Sequence, residues 1–316
     1  MENLENKNFL IKIAWLYHIQ GLTQDQIAKR VSLSRPTIIR ALQHAQEKGL
    51  VEVRLTVPLP HTTLLENSLE EAFALHDLKE VIVVDEINNS PQKAVAQAAS
   101  KYLQRILRPK HILGVGWSST LGCIPEFFTP GQYIPSRIVQ LVGSVGNIPG
   151  VNSYEIAWQL GSLLNVPVEY IPTPMIVESA IIRDALIRDH TTSNTLMWAD
   201  RCNIALVGVG AIAPDSSLIQ TGYLTHQDIQ SLVDRGCVGD ILTRYFDIHG
   251  QAIPTPWDDR MIGLDLEQVR KIENLVAVAS GGEKALAVLG ALRGGLINTL
   301  IVDAVLAEIV LTNVIT

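Results

Sequence analysis

Four short stretches of this 316-residue sequence gather side chains suited to holding a small anionic or polyhydroxylated molecule. "GVGWSSTLG" (114–122) runs out of an apolar segment into Gly114 and Gly116, then into Ser118, Ser119 and Thr120. Glycines let backbone approach a ligand closely, while hydroxyls and free amides at a helix start can hold a phosphate. "ASGGEKALAVLGALRGG" (279–295) puts Lys284 in an opening helical turn. A cation there opposes the helix dipole unless an anion sits beside it. "QLVGSVGN" (140–147) supplies Gly143 and Ser144, and Asn152 beyond it can cap a helix or meet a ligand hydroxyl. "LVGVGAI" (206–212) supplies Gly208. Each stretch also has a plainer reading, as a glycine turn with capping serines or a lysine on an exposed helix.

"CVGDILTRYFDIHGQAI" (237–253) adds Asp240 and Asp247. Paired carboxylates can accept sugar hydroxyls or act as a general base. Helix capping by Asp240 and turn formation by Asp247 are the alternatives, and for Asp247 the turn is preferred. There is no Walker loop and no G-x-G-x-x-G fingerprint, so a nucleotide is not expected. Neither a Ser/His/Asp set nor an H-E-x-x-H pattern is visible, so no catalytic residue, metal site or cofactor is assigned. Cys123, Cys202 and Cys237 lie outside any C-x-x-C spacing, as expected of free thiols in a reduced cytoplasm.

A different chemistry is concentrated in "SLSRPTIIRALQHAQEKGL" (32–50). Ser34 is placed as an N-cap, Pro36 falls in the first turn, and Gly49 stands where a left-handed C-cap belongs. Ile38, Ile39, Leu42 and Ala45 form the expected buried stripe. Arg35, Thr37, Arg40 and Gln43 are left off it, and these residue types read phosphates and base edges. Upstream, "LTQDQIAKRVSLS" (22–34) carries a capping box from Thr23 to Gln26. "LIKIAWLYHIQG" (10–21) forms a helix before it, with apolar residues at Ile11, Ala14, Trp15 and Tyr17 to Ile19. Helix, tight turn and second helix predict a helix-turn-helix, with Thr23, Gln24, Ser34, Arg35, Thr37, Arg40 and Gln43 as its DNA-contact set. A helical bundle used only for packing is the alternative. "GLVEVRLTV" (49–57) alternates in the manner of a wing strand.

Charge favours the DNA reading. Residues 1–57 hold eight Lys/Arg and five Asp/Glu, a balance of +3, while the whole chain is −7, leaving −10 on residues 58–316. Such segregation lets a small module approach phosphate while the acidic bulk stays apart. The excess is modest, so several modules in one oligomer are expected. No apolar run reaches the ~18 residues of a membrane span, and the polar start is no secretory signal, so a cytoplasmic protein is expected.

The linker "PLPHTT" (58–63) separates a DNA module at 1–57 from an effector-binding and oligomerisation domain at 58–316. Beyond it, strand-like runs alternate with helices: "EVIVVD" (80–85), "HILGVGW" (111–117), "RIVQLVG" (137–143), "VEYIP" (168–172), "NIALVGVG" (203–210), "NLVAVAS" (274–280) and "TLIVD" (299–303). Continuous Val/Ile/Leu runs separated by helices such as 91–107 predict a doubly wound α/β domain with a parallel sheet. Ligands then gather beyond the strands' carboxyl ends, where Ser118–Thr120 and Lys284 should converge. The amphipathic run 64–76 either packs on the sheet or pairs subunits.

"GLTQDQIAKRVSLSRPTIIRAL", "GVGWSST", "VQLVGSVGN", "VGDILTRYFDIHG" and "ASGGEKALAVLGALRGGLINTLIVD", in this order, resemble the SorC family of bacterial transcriptional regulators over nearly the whole chain. The resemblance implies a winged-type helix-turn-helix followed by a phosphosugar isomerase-like, Rossmann-type domain. It also implies a tetramer that binds operator DNA under control of a carbohydrate effector of the regulated pathway. It assigns Ser118, Ser119, Thr120 and Lys284 to a phosphate, Asp240 to hydroxyls, and Gly143 and Ser144 to the ligand loop; Gly116, Asn152 and Gly208, read from the strand-end stretches themselves, complete the expected effector set. Some relatives carry an Arg before those glycines, whereas this sequence has Val142. That difference argues against a doubly phosphorylated effector and for a monophosphorylated sugar or a polyol. An isomerase-like enzyme with an accessory DNA module is the competing reading.

Overall fold

The computed structural model describes residues 6–146, 151–213, 217–220 and 222–315. The chain divides into two compact units, Met1–Leu59 and Pro60–Thr316.

The first unit holds three helices, α1 (Lys7–His18), α2 (Gln24–Val31) and α3 (Arg35–Glu47). Asn6, Thr23 and Ser34 cap their N-termini, and Thr23 with Gln26 completes the expected capping box. Gly49 (φ +63°) closes α3 in a Schellman motif, with Leu50 N–H donating to Ala45 O at 2.8 Å and Gly49 N–H to Gln46 O at 2.9 Å. The core is Leu10, Ile13, Ala14 and Leu16 against Ile27, Ala28, Ile38, Ala41 and Ala45. Two expected stripes shift accordingly. Ile11, Trp15 and Ile19 point outward from α1, because the i, i+3, i+4 set that faces α3 starts at Leu10. Ile39 and Leu42 are only half-buried, and Ala41 takes the central place on α3.

The expected wing is absent. Residues 51–57 form no strand, and Val53, Leu55 and Val57 are exposed. Alternation is a local property, whereas a strand needs a neighbour to receive its backbone hydrogen bonds, and the described residues of this unit contain none.

The second unit is built on a seven-stranded parallel sheet. Its strands are β1 (Glu80–Val84), β2 (Ile112–Val115), β3 (Arg137–Gln140), β4 (Val168–Glu169), β5 (Ile204–Gly208), β9 (Asn274–Ala279) and β10 (Thr299–Asp303), ordered β1-β10-β9-β5-β2-β3-β4. A small antiparallel sheet contains β6 (Gly210–Ala211), β7 (Cys237–Ile241) and β8 (Arg244–Asp247). The helices are α4 (His61–Ala72), α5 (Pro91–Ile106), α6 (Ser153–Leu164), α7 (Ala180–Arg188), α8 (His190–Asp200), α9 (His226–Asp234), α10 (Ala285–Arg293) and α11 (Ala304–Ile315), besides shorter turns.

Successive strand residues sort onto opposite faces, as the pleat requires. Ala205, Val207, Leu275, Ala277, Leu300 and Val302 join α4, α10 and α11 in one core. Ile204, Leu206, Val276, Val278 and Ile301 join α5 and α6 in the other. Both faces are therefore covered, which explains why these strands read as unbroken apolar runs.

The amphipathic run after the linker packs on the sheet, with Leu65, Leu69 and Phe73 in the core. It also closes an edge. Glu70 accepts from Val81 N–H at 3.1 Å and Glu66 from Val83 N–H at 3.0 Å, so two glutamates satisfy edge-strand amides of β1. Among the described residues, no helix is long and apolar enough to cross a membrane.

Candidate functional site

The chain leaves β2 towards β3 and leaves β5 towards β9, in opposite directions across the sheet. That divergence makes the β2/β5 carboxyl ends a switch point, where open α/β sheets form their binding crevice. A cavity of about 390 Å³ lies there, lined by Trp117–Ser119, Gly208–Ala213, Asp240, Tyr245 and Lys284, among others.

Three adjacent strands deliver the polar groups. After β2, Ser118 caps a single helical turn, its Oγ accepting from Leu121 N–H at 3.0 Å. Ser119 Oγ meets Gln92 Nε2 at 3.2 Å, which brings the N-terminus of α5 to the rim. At the end of β5, Gly208 leaves the space that Ser118 fills, since a Cβ there would lie 2.5 Å from the Ser118 Cβ. After β9 the chain turns at Gly281 (φ +96°) and brings Lys284 round. Asp303 at the end of β10 fixes that turn, its Oδ2 accepting from Gly281 N–H at 2.8 Å and its Oδ1 from Leu306 N–H at 3.0 Å.

The small sheet closes the cavity from the side. Asp240 stands opposite Gly210 on one side and Tyr245 on the other, so the pleat aims Asp240 and Tyr245 to the same face. A Cβ on residue 210 would lie 2.1 Å from Asp240 Oδ1, so only glycine leaves the carboxylate its place. Asp240 Oδ2 accepts from Thr243 N–H at 2.9 Å. The hairpin tip holding that amide is strained, with Leu242 at φ +52° and Thr243 at φ +65°. A β-branched residue in this region is an outlier that its surroundings must enforce. Here Thr243 is fully buried and its hydroxyl meets Met175 Sδ at 3.1 Å.

Asp240 and Lys284 are half-buried at the cavity and Tyr245 is buried, which sets the electrostatics. Burial pushes the Asp240 carboxyl up from 3.8 to about 6, against the Thr243 amide and the Lys284 charge, which both pull it down. Burial likewise lowers the Lys284 ammonium, opposed by Glu283, Asp303 and Asp240. Among the described residues no ion pair engages Lys284. Burial also pushes the Tyr245 hydroxyl well above its ordinary range, helped by the nearby Asp240 charge, so it stays a neutral donor. The cavity thus offers an ammonium, serine hydroxyls and a phenol, with a carboxylate carried on a different sheet. Such a set suits a ligand with an anionic or strongly polar end and a hydroxylated body.

Residues 57–312 match the family model described as "Putative sugar-binding domain". The chain is 29% identical over 301 residues to a deoxyribonucleoside regulator of Bacillus subtilis, covering 95% of this chain and 96% of that protein. It is 26% identical over 321 residues to the sorbitol operon regulator of Klebsiella pneumoniae, covering 98% and 100%. The crystal structure of the full-length sorbitol operon regulator SorC from Klebsiella pneumoniae shares its fold, with a TM-score of 0.74 at 24% identity over 97% of this chain and 99% of that one. The chain belongs to the SorC family of sugar-binding transcriptional regulators.

The SorC-family chain brings Ser118, Ser119, Gly208, Asp240 and Lys284 together at one cavity. The other expected effector residues lie elsewhere. Thr120 is fully buried with its hydroxyl 3.2 Å from Ser280 Oγ, because one further step along the helical turn rotates it into the core. Gly116 is buried in the sheet extension, its N–H donating to Leu206 O. Gly143 and Ser144 are committed to backbone pairing, Gly143 N–H with Ile262 O and Ser144 N–H with Thr173 O, both 2.9 Å. Asn152 caps α6 and donates to Val145 O at 2.8 Å, the capping role among its two expected ones. Residues 147–150 of this loop lie outside the described residues. Val142 is buried in the core. Asp240 sits on a strand and caps no helix, whereas Asp247 is the expected turn former, accepting from His249 and Gln251 N–H.

Gln92 and Tyr245 are lining residues that sequence reading missed. Gln92 had a signal, since it opens the helix that follows β1. Tyr245 would have emerged had 237–247 been read as a hairpin.

On the first unit, Arg35, Arg40 and Gln43 are exposed along α3. Several members of the expected DNA-contact set also make contacts within the unit. Ser34 Oγ lies 2.8 Å from Thr37 Oγ1, Gln24 Oε1 accepts from Arg35 Nε at 3.4 Å, and Arg35 lies 3.8 Å from Asp25.

Proposed function

We propose that this SorC-family protein regulates a sugar or polyol catabolic operon through a carbohydrate effector bound in the cavity above β9, β5 and β2. The observation that supports this reading best is the convergence of Lys284, Ser118 and Ser119 opposite Asp240. Lys284 and the serines would receive a phosphate or equivalent polar end, and Asp240 would accept hydroxyl protons farther along. A carboxylate beside the phosphate would repel it, so a single ligand would lie across the cavity with its hydroxyls towards Asp240. The site reads as a receptor and not an enzyme.

Residues 1–57 act as the DNA-binding helix-turn-helix, with α3 entering the major groove. Arg35 and Arg40 face DNA, Gln43 and Thr37 reach base edges or nearby phosphates, and Thr23, Gln24 and Ser34 order the helix starts and their phosphate contacts. Residues 58–316 bind effector and assemble the protein, as a cytoplasmic tetramer, on paired half-sites. Effector occupancy changes DNA affinity only by binding one arrangement of the tetramer better than another. A thermal-shift screen of sugars, polyols and their monophosphates tests the reading. A monophosphorylated sugar or a polyol should raise the melting temperature of the wild type and not that of Lys284→Ala/Asp240→Ala. A screen with no stabilising sugar, or equal stabilisation of both proteins, would remove it.

A further inference from the structure

The segment between α3 and the second unit has strand chemistry and no strand partner. Val51, Val53, Leu55 and Val57 alternate with Glu52, Arg54 and Thr56. Val53 is 58% exposed, Leu55 69% and Val57 70%. No backbone hydrogen bond joins residues 51–59 to any other described segment. Exposed alternating backbone with unpaired amides and carbonyls is a template for pairing with another chain.

We infer that this segment pairs antiparallel with the same segment of a second copy, about a two-fold axis through Val53. The charge pattern selects both partner and register. In an isologous antiparallel pair centred on Val53, Glu52 stands opposite Arg54 of the partner subunit and Arg54 opposite Glu52 of the partner subunit. On the other face Val51 meets Leu55 of the partner subunit, and Val53 meets its own counterpart. A shift of register by one residue would set apolar side chains against charged ones, the mismatch that specifies strand register. The sequence is therefore complementary to itself in both charge and apolarity, the two cross-chain ion pairs replacing the Glu52–Arg54 pair that forms within the single chain.

A two-stranded pair alone is marginal in water. The pairing thus operates between subunits already held together, and in this respect it rests on the oligomer proposed above. Within it, the strand pair would replace the missing wing and tie two DNA modules into one two-fold unit.

The test is cysteine cross-linking of the full-length chain with Cys123→Ser, since Cys202 and Cys237 are buried. Facing residues of an antiparallel pair have Cα atoms about 4.5–5.5 Å apart, within disulfide reach. Val53→Cys should give a disulfide-linked dimer under mild oxidation. Leu55→Cys, more exposed but separated from its own counterpart by four residues along the pair, should not. Adding Glu52→Arg to Val53→Cys should cut the yield about fivefold, because symmetry counts each repulsive pair twice. Adding Glu52→Arg/Arg54→Glu should restore it. Cross-linking of Leu55→Cys equal to that of Val53→Cys, or no response to charge reversal, would overturn the pairing. So would the absence of any cross-link at Val53→Cys in a protein that light scattering shows to be oligomeric. A monomer by light scattering would overturn the pairing and the oligomer together.

Discussion

Asp240→Asn should make the protein more stable and less able to bind effector. In the folded protein the Asp240 carboxyl is raised from 3.8 to about 6. The folded state therefore holds this proton more tightly than the unfolded chain does. Asp240's contribution to stability is greatest below pH 3.8, falls as pH rises through 6, and is constant beyond. At 1.36 kcal/mol for each tenfold change in proton affinity, the total loss is ~3 kcal/mol, as an order of magnitude. Asparagine keeps the shape and an oxygen for the Thr243 amide while removing the enclosed charge. Thermal unfolding at pH 7.5 should therefore give Asp240→Asn a higher melting temperature, by about 3–8 °C for a domain of this size. Repeating the comparison down to pH 4 should bring the two proteins together, because the wild-type carboxyl is then protonated when folded. The same substitution should weaken effector binding, an exchange of stability for function common at binding sites. A variant less stable than wild type at pH 7.5, or a difference independent of pH, would refute the assignment of a destabilised carboxylate.

Three further outcomes follow from named contacts. Gly210→Ala places a methyl group 2.1 Å from the present position of Asp240 Oδ1, so effector affinity measured by calorimetry should fall at least as far as in Asp240→Asn. Removing Glu66 leaves the Val83 amide of β1 without its 3.0 Å acceptor. Glu66→Ala should then cost about 1–2 kcal/mol in denaturant unfolding, and Glu66→Gln much less. Arg40→Ala, on the exposed face of α3, should weaken DNA binding. Equal loss across sequences marks a phosphate contact, loss of discrimination at one base pair marks a base contact worth about 1–3 kcal/mol, and unchanged operator binding in Arg35→Ala/Arg40→Ala would reject the surface.

The central sheet was legible because its strands are buried on both faces, which writes them as apolar runs such as "NIALVG" and "TLIVD". Helix ends were legible where caps are local, as at Thr23, Ser34 and Gly49. The β7–β8 hairpin was hidden because Leu242 and Thr243 occupy left-handed positions that a sequence usually marks with Asn-Gly. Strand-end glycines and hydroxyls pointed to Ser118, Gly208 and Lys284, which share one cavity, since being at a carboxyl edge is a matter of chain order. They could not separate these from Ser144 and Asn152. That distinction depends on which strands are neighbours, and β3 lies one strand farther from the β9–β5–β2 centre. The false wing shows the converse, as alternation reports side-chain facing and says nothing about a partner.

The most direct measurement of the central claim is operator binding by fluorescence anisotropy, with and without the stabilising sugar or sugar phosphate, in wild type and Lys284→Ala. Wild type should change its operator affinity by tenfold or more on saturation, about 1.4 kcal/mol of coupling. Lys284→Ala should bind the effector-free operator as wild type does and lose that response to an anionic effector. For a neutral polyol the loss should instead fall on Asp240→Asn. A wild-type response that survives intact in both variants would contradict control of DNA binding from this cavity.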